Sequence, residues 1–143
     1  MPSIQVDFYL LSEDNPDALL VLACRLLEKA YHQKLDAWVW CHNDTDAAAL
    51  DSRLWTFKEE SFVPHARYDE VLSEHTPITI ATDYPSHCTA PLLLNLSSKI
   101  VQPQPNLERI LEIVPPTEIE KEQSRTHYRA YREAGYNIKT HSI

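Results

Sequence analysis

Lys121, Arg125, Tyr128 and Arg132 recur at spacings i, i+4, i+7 and i+11 near the end of this chain. At about 100° per residue a helix gathers all four onto one narrow stripe, three cations around one ring. Clustered cations recognise carboxylates and an adjacent ring supplies an apolar wall, so the stripe fits an acidic peptide with an apolar terminal residue. A solvated basic face accounts for the same residues. Glu118, Glu120 and Glu122 stand near the helix start and Arg129 and Arg132 near its end, a distribution the helix dipole favours without any ligand. Trp55, Phe57 and Phe62 form a second unusual group, interrupted by Lys58-Glu59-Glu60. Core packing explains any one of them, but three in so charged a segment point to at least one exposed docking anchor. The stretch from Leu54 to His65 leaves little room for a buried strand or a regular amphipathic helix.

Other reactive residues lack organisation. His32, His42, His65, His75, His87, His127 and His141 form neither H-x-x-x-H nor a Cys/His ligand spacing, so no metal is expected. Cys88 beside His87 is the one tempting pair, and a free cysteine is more often structural than nucleophilic. No spacing among the carboxylates distinguishes a catalytic pair. The single glycine, Gly135, excludes a P-loop and a dinucleotide fingerprint, which need several glycines for close backbone approach to phosphate. It also excludes the usual serine-hydrolase elbow. Neither a cofactor nor catalytic activity is expected.

A chain of 143 residues with 43% hydrophobic and 24% charged residues fits one soluble globular domain, 1–143. The longest apolar run, Ala18 to Cys24, is too short to span a bilayer, and the N-terminus lacks signal-peptide regions. A cytoplasmic protein is expected. Cys24, Cys41 and Cys88 are an odd set without CxxC spacing, and Cys24 and Cys41 sit in apolar surroundings typical of reduced buried thiols. The net charge of −8 argues against a general polyanion binder. Its distribution is uneven: residues 1–116 carry 8 Lys and Arg against 17 Asp and Glu, and residues 117–143 carry 5 against 4. Direct binding of single-stranded nucleic acid, with the stripe on phosphates and aromatics on bases, is the alternative that this charge opposes.

The elements that must position these residues follow from pattern. Ile4 to Leu11 alternates as a strand, and Asn15-Pro16 supplies an N-cap and an N1 proline for a helix over 16–32. Ala37 to Cys41 predicts a strand, and Asn43-Asp44 starts a helix through Leu54. Further strands are expected at Pro77–Ala81, Pro91–Leu96 and Ile110–Val114, with loops at 83–90 and 99–106. A last helix is expected from Thr117 to Ala134, with Gly135 as its left-handed C′ residue. Near-continuous apolar strands alternating with helices predict a three-layer α/β/α domain around a mostly parallel sheet.

Three segments in order, Val6-Asp7-Phe8-Tyr9-Leu10-Leu11, Leu50-Asp51 through Leu54-Trp55 to Ser61-Phe62-Val63-Pro64-His65, and Tyr128-Arg129-Ala130-Tyr131-Arg132-Glu133-Ala134-Gly135-Tyr136-Asn137, carry a resemblance over the whole chain. It resembles the chi subunit of bacterial DNA polymerase III. The resemblance implies a noncatalytic clamp-loader accessory protein, with a fold reminiscent of nucleotide-binding domains but no nucleotide site. It also implies two partners, the acidic C-terminal tail of single-stranded DNA-binding protein and the psi subunit, with a psi heterodimer expected and DNA met only indirectly. Carried onto this sequence, the tail-binding surface falls on Lys121, Arg125 and Tyr128 with Val114 nearby, and Arg132 completes the stripe. The psi-facing surface falls on Trp55 and Phe62. The chain departs from its relatives between Ala66 and His75, where it has no glycine, and Arg129 stands where lysine is also expected.

Overall fold

Local signals set the helix ends. α1 (Pro16–His32) begins where the Asn15 side chain accepts the Ala18 N–H at 2.7 Å, with proline at the first position. It ends in a Schellman turn: the Lys34 N–H reaches Tyr31 O at 3.0 Å, the Leu35 N–H reaches Ala30 O at 2.9 Å, and Lys34 is left-handed at φ 60°. α2 (Asp44–Thr56) starts at Asn43, whose side-chain Oδ1 accepts the Asp46 N–H at 2.8 Å. α3 (Glu118–Glu133) is capped by Thr117 and closed by Gly135 at φ 86°. The Gly135 N–H binds Arg132 O at 3.0 Å and the Tyr136 N–H binds Tyr131 O at 3.1 Å, while the Tyr131 and Tyr136 rings stack at 5.8 Å. This is the second Schellman turn, with its accompanying side-chain contact.

The computed structural model describes residues 4–56, 64–67, 77–83, 90–104 and 106–143. Its strands are β1 (Gln5–Leu10), β2 (Ala37–Cys41), β3 (His65–Arg67), β4 (Ile78–Ala81), β5 (Leu92–Leu96), β6 (Arg109–Val114) and β7 (Asn137–Ser142). They form one seven-stranded sheet in the order β3-β4-β2-β5-β6-β1-β7, and every pairing is parallel. α1 and α2 cover one face, burying Leu27, Leu50 and Leu54 against Val39, Ile80 and Leu94. α3 covers the other, where Tyr131 packs with Phe8, Leu93, Val101 and Ile110. The three expected layers are present. Cys24 and Cys41 are buried free thiols, and burial pushes the Cys24 thiol up to about 11; Cys88 lies outside the described residues. Among the described residues no helix is long and apolar enough to cross a membrane.

Two strands were not expected from the sequence. β3 is only three residues long, and its first residue, His65, ends the stretch in which a strand had little room. β7 reads Asn-Ile-Lys-Thr-His-Ser, without the apolar alternation that marks a half-buried strand. It is held by its partner instead. It pairs with β1 over its full length, and the buried Asp7 carboxylate accepts from Arg109 Nε at 2.7 Å and Gln5 Nε2 at 3.0 Å and bonds His141 Nε2 at 2.8 Å. Burial opposes ionisation of Asp7, but the bonds from His141, Arg109 and Gln5 and the Arg109 charge outweigh it, so its pKa is lowered.

Candidate partner-binding surfaces

α3 turns only a narrow side to the sheet. Its buried residues are His127 and Tyr131, and the helix is fixed as much by polar bonds as by apolar area. Tyr131 donates its hydroxyl to Glu112 Oε2 at 2.6 Å and accepts the Val101 N–H at 3.1 Å. Asn95 Nδ2 donates to the same Glu112 oxygen at 2.8 Å. His127 places Nδ1 3.1 Å from Glu112 Oε1 and Nε2 3.1 Å from Ser98 O, two acceptors that suit a doubly protonated ring. Burial disfavours that charge, yet the bond to Glu112, its charge and the Ser98 carbonyl prevail and the pKa is raised. Burial and the Glu112 charge push the Tyr131 phenol upward.

This anchoring fixes which side of α3 meets solvent. Lys121, Arg125, Tyr128 and Arg132 are all exposed, as one stripe beside the buried side. The structure brings two of them together with β1: a concavity of about 360 Å³ is lined by Phe8, Leu10, Ser124, Arg125, Tyr128, Arg129 and Thr140. Tyr128 is 39% exposed with its ring 5.9 Å from that of Phe8, and Leu10 is 37% exposed. The bed is therefore apolar and the rim carries two guanidinium groups. Arg125 donates to Glu122 Oε2 at 2.7 Å, an exposed pair held with little net energy. Lys121 and Arg132 lie on the same stripe outside the concavity. Val114 is buried beside Leu10 on the next strand, their Cα atoms paired, and lies outside the lining of this concavity.

Phe8, Leu10, Ser124, Arg129 and Thr140 are lining residues that the sequence reading did not assign to this surface. β1 looked like an ordinary core strand and β7 was not expected, so their meeting with α3 could not be anticipated. The Glu112 network was equally hidden. Its signal was one carboxylate inside the apolar run Ile110 to Val114, which a parallel strand buried on both faces accepts only with partners.

Trp55 occupies the last turn of α2 and is 60% exposed, its ring 5.1 Å from that of His65 on β3. His65 Nε2 lies 3.0 Å from Asp51 Oδ1, one turn earlier on α2, which joins the Trp55 turn to the β3 edge. Phe57 and Phe62, the latter expected on the same surface as Trp55, lie outside the described residues, as does most of the segment from 66 to 75. Trp55 sits near one edge of the sheet and the α3 concavity near the other. Six strand spacings of about 4.8 Å put those edges roughly 29 Å apart.

Residues 3–139 match the family described as DNA polymerase III chi subunit, HolC. The DNA polymerase III subunit chi of Pseudomonas aeruginosa is 33% identical over 139 residues, covering 97% of this chain and 96% of the relative. The Haemophilus influenzae subunit is 28% identical over 95% of each chain, and the Escherichia coli subunit 28% identical over 93% of this chain and 94% of its own. A match that runs through β1, the Trp55 turn and the whole of α3 alike means that this chain belongs to the DNA polymerase III chi subunit family.

Proposed function

We propose that this protein is a noncatalytic adaptor of the replicative polymerase, holding the acidic tail of single-stranded DNA-binding protein on α3 and the psi subunit at the Trp55 end. The observation that carries the first half is the apolar bed of Phe8, Leu10 and Tyr128 under the Arg125 and Arg129 rim. An apolar terminal side chain fits the bed, and the carboxylates of an acidic tail fit the rim. Lys121 and Arg132 extend the positive stripe along the approaching peptide, and Val114 flanks the bed as the strand neighbour of Leu10. The 60% exposure of Trp55 supports the second half, because a large aromatic with that much surface in solvent can anchor a subunit interface. Phe62 is proposed as its companion. The separation of the two edges lets both partners bind at once, which is what an adaptor between a clamp loader and coated template requires.

Isothermal titration with a peptide of the cognate tail and, separately, with psi tests this assignment. A charge-assisted bond contributes about 1.5–3 kcal/mol, so Arg125→Ala should weaken the tail roughly 10- to 100-fold, nearer the low end because the side chain is exposed. Trp55→Ala should weaken psi by about 2 kcal/mol or more and spare the tail. Equal losses toward both partners, or none toward either, would refute the two-surface adaptor.

A further inference from the structure

A cavity of about 240 Å³ opens at the carboxyl edge of the sheet, among the starts of α1 and α2, the ends of β5 and β6, and the first half of α3. In open parallel sheets this edge receives ligands where successive connections leave toward opposite faces. Here β1 and β2 lead into helices on one face, whereas β6 leads into α3 on the other. Helix starts ordinarily favour a phosphate at such a place. In this chain carboxylates occupy the first turns: Asp17 in α1, Asp44 and Asp46 in α2, Glu118 and Glu120 in α3.

The lining makes the sign definite. Asp46, Glu120 and Glu112 contribute to it, and among the described residues its one cationic group is His127, already bonded to Glu112. Leu19, Leu20 and Ile113 supply apolar wall. An anion is repelled, and a cation carried on an apolar stem is complementary in both respects. The volume falls below the roughly 300–1,000 Å³ of small-molecule pockets, yet it accommodates one long side chain. Lysine buries a four-carbon stem along apolar surface and keeps its head among polar partners. We propose that this cavity receives a lysine side chain from a protein partner, the stem against Leu19, Leu20 and Ile113 and the ammonium toward Asp46 and Glu120. It shares Ser124 with the lining of the α3 concavity and also takes in Val114, but Phe8, Leu10, Arg125, Tyr128 and Arg129, which make the bed and rim proposed for the tail, lie outside it.

The test is an NMR titration of the whole isotope-labelled chain with Nα-acetyl-lysine-N-methylamide, with the norleucine analogue, n-butylammonium chloride and equimolar sodium chloride as separate arms. Saturable shifts at the amides of Leu20, Ala49, Leu96 and Ser124 are expected with the lysine probe, with weaker binding of norleucine and no saturable shifts with salt alone. Asp46 and Glu120 are exposed, so the double variant Asp46→Asn/Glu120→Gln should keep its fold by circular dichroism. It should bind the lysine probe at least about 3-fold more weakly, the scale of an exposed ion pair, and the norleucine probe unchanged. No saturable shift, equal binding of lysine and norleucine, or an unaffected double variant would overturn the proposal. Binding of butylammonium without the blocked lysine would assign the cavity to a free amine and overturn it equally.

Discussion

Replacing Glu112 by glutamine keeps the shape of the buried network and removes its charge. The carboxylate takes bonds from Tyr131 and Asn95 on one oxygen and contacts His127 through the other. The new amide can present its oxygen to Tyr131 and Asn95 and its N–H to a neutral His127, whose other nitrogen still donates to Ser98 O. The three existing donors each keep an acceptor or a workable role, but three charge-assisted bonds become neutral ones and the second amide N–H has no partner among these residues. At about 1 kcal/mol lost per bond, reduced because the bonds are coupled, Glu112→Gln should cost about 2 kcal/mol. With about 2.1 cal/mol/K of unfolding entropy per residue, that is about 7 °C in Tm for 143 residues. Glu112→Ala leaves three buried donors without the carboxylate and should cost about 4 kcal/mol or more. The pH dependence separates charge from shape. His127 has a raised pKa in the folded chain, so its stabilisation is complete below the unfolded value of about 6.5 and is lost as pH rises through the folded value. Urea melts of wild type and Glu112→Gln at pH 6 and pH 9 measure this: the wild type should lose stability toward pH 9 and the variant should not. An unchanged midpoint at pH 6, or an alkaline loss that persists in the variant, would refute the ionic account.

Gly135→Ala should destabilise the fold by about 1 kcal/mol in denaturant melts, because φ 86° is costly for a side chain although a Cβ there would meet nothing within 4 Å. Lys34→Gly should act in the opposite sense, gaining about 0.5–1 kcal/mol, since lysine now bears the left-handed strain at φ 60°. Asp7→Asn should cost about 1–2 kcal/mol, Arg109 and His141 being partly solvated, and should speed amide exchange over 137–142 before other strands. Because the Asp7 pKa is lowered, its stabilisation is present above about 3.9 and lost as pH falls through the folded value, so the variant should show a shallower acid limb.

Much of the scaffold is decided within a few residues of chain. Asn15-Pro16 starts α1 and the apolar spacing carries it to His32, the run Ala37 to Cys41 is β2, and Gly135 closes α3; each signal is a cap, a period or a backbone preference that acts locally. The stripe Lys121, Arg125, Tyr128 and Arg132 was legible for the same reason, being a property of one helix. The three-layer fold also followed, because apolar strands alternating with helices have few other ways to bury both faces. Tertiary structure decided what the stripe lies beside. β7 carries almost no strand signal of its own and exists because β1 offers a backbone edge and Asp7 a buried partner for His141. Its Thr140 and the Leu10 end of β1 then complete the bed beside Tyr128. Glu112 and His127 are fifteen residues apart and meet because α3 crosses back over the sheet, which sets the rotation of the helix and hence the outward side of the stripe. Local preferences fix elements and faces; which faces meet depends on long-range strand pairing, whose energy resides in contacts that do not exist until the sheet has formed.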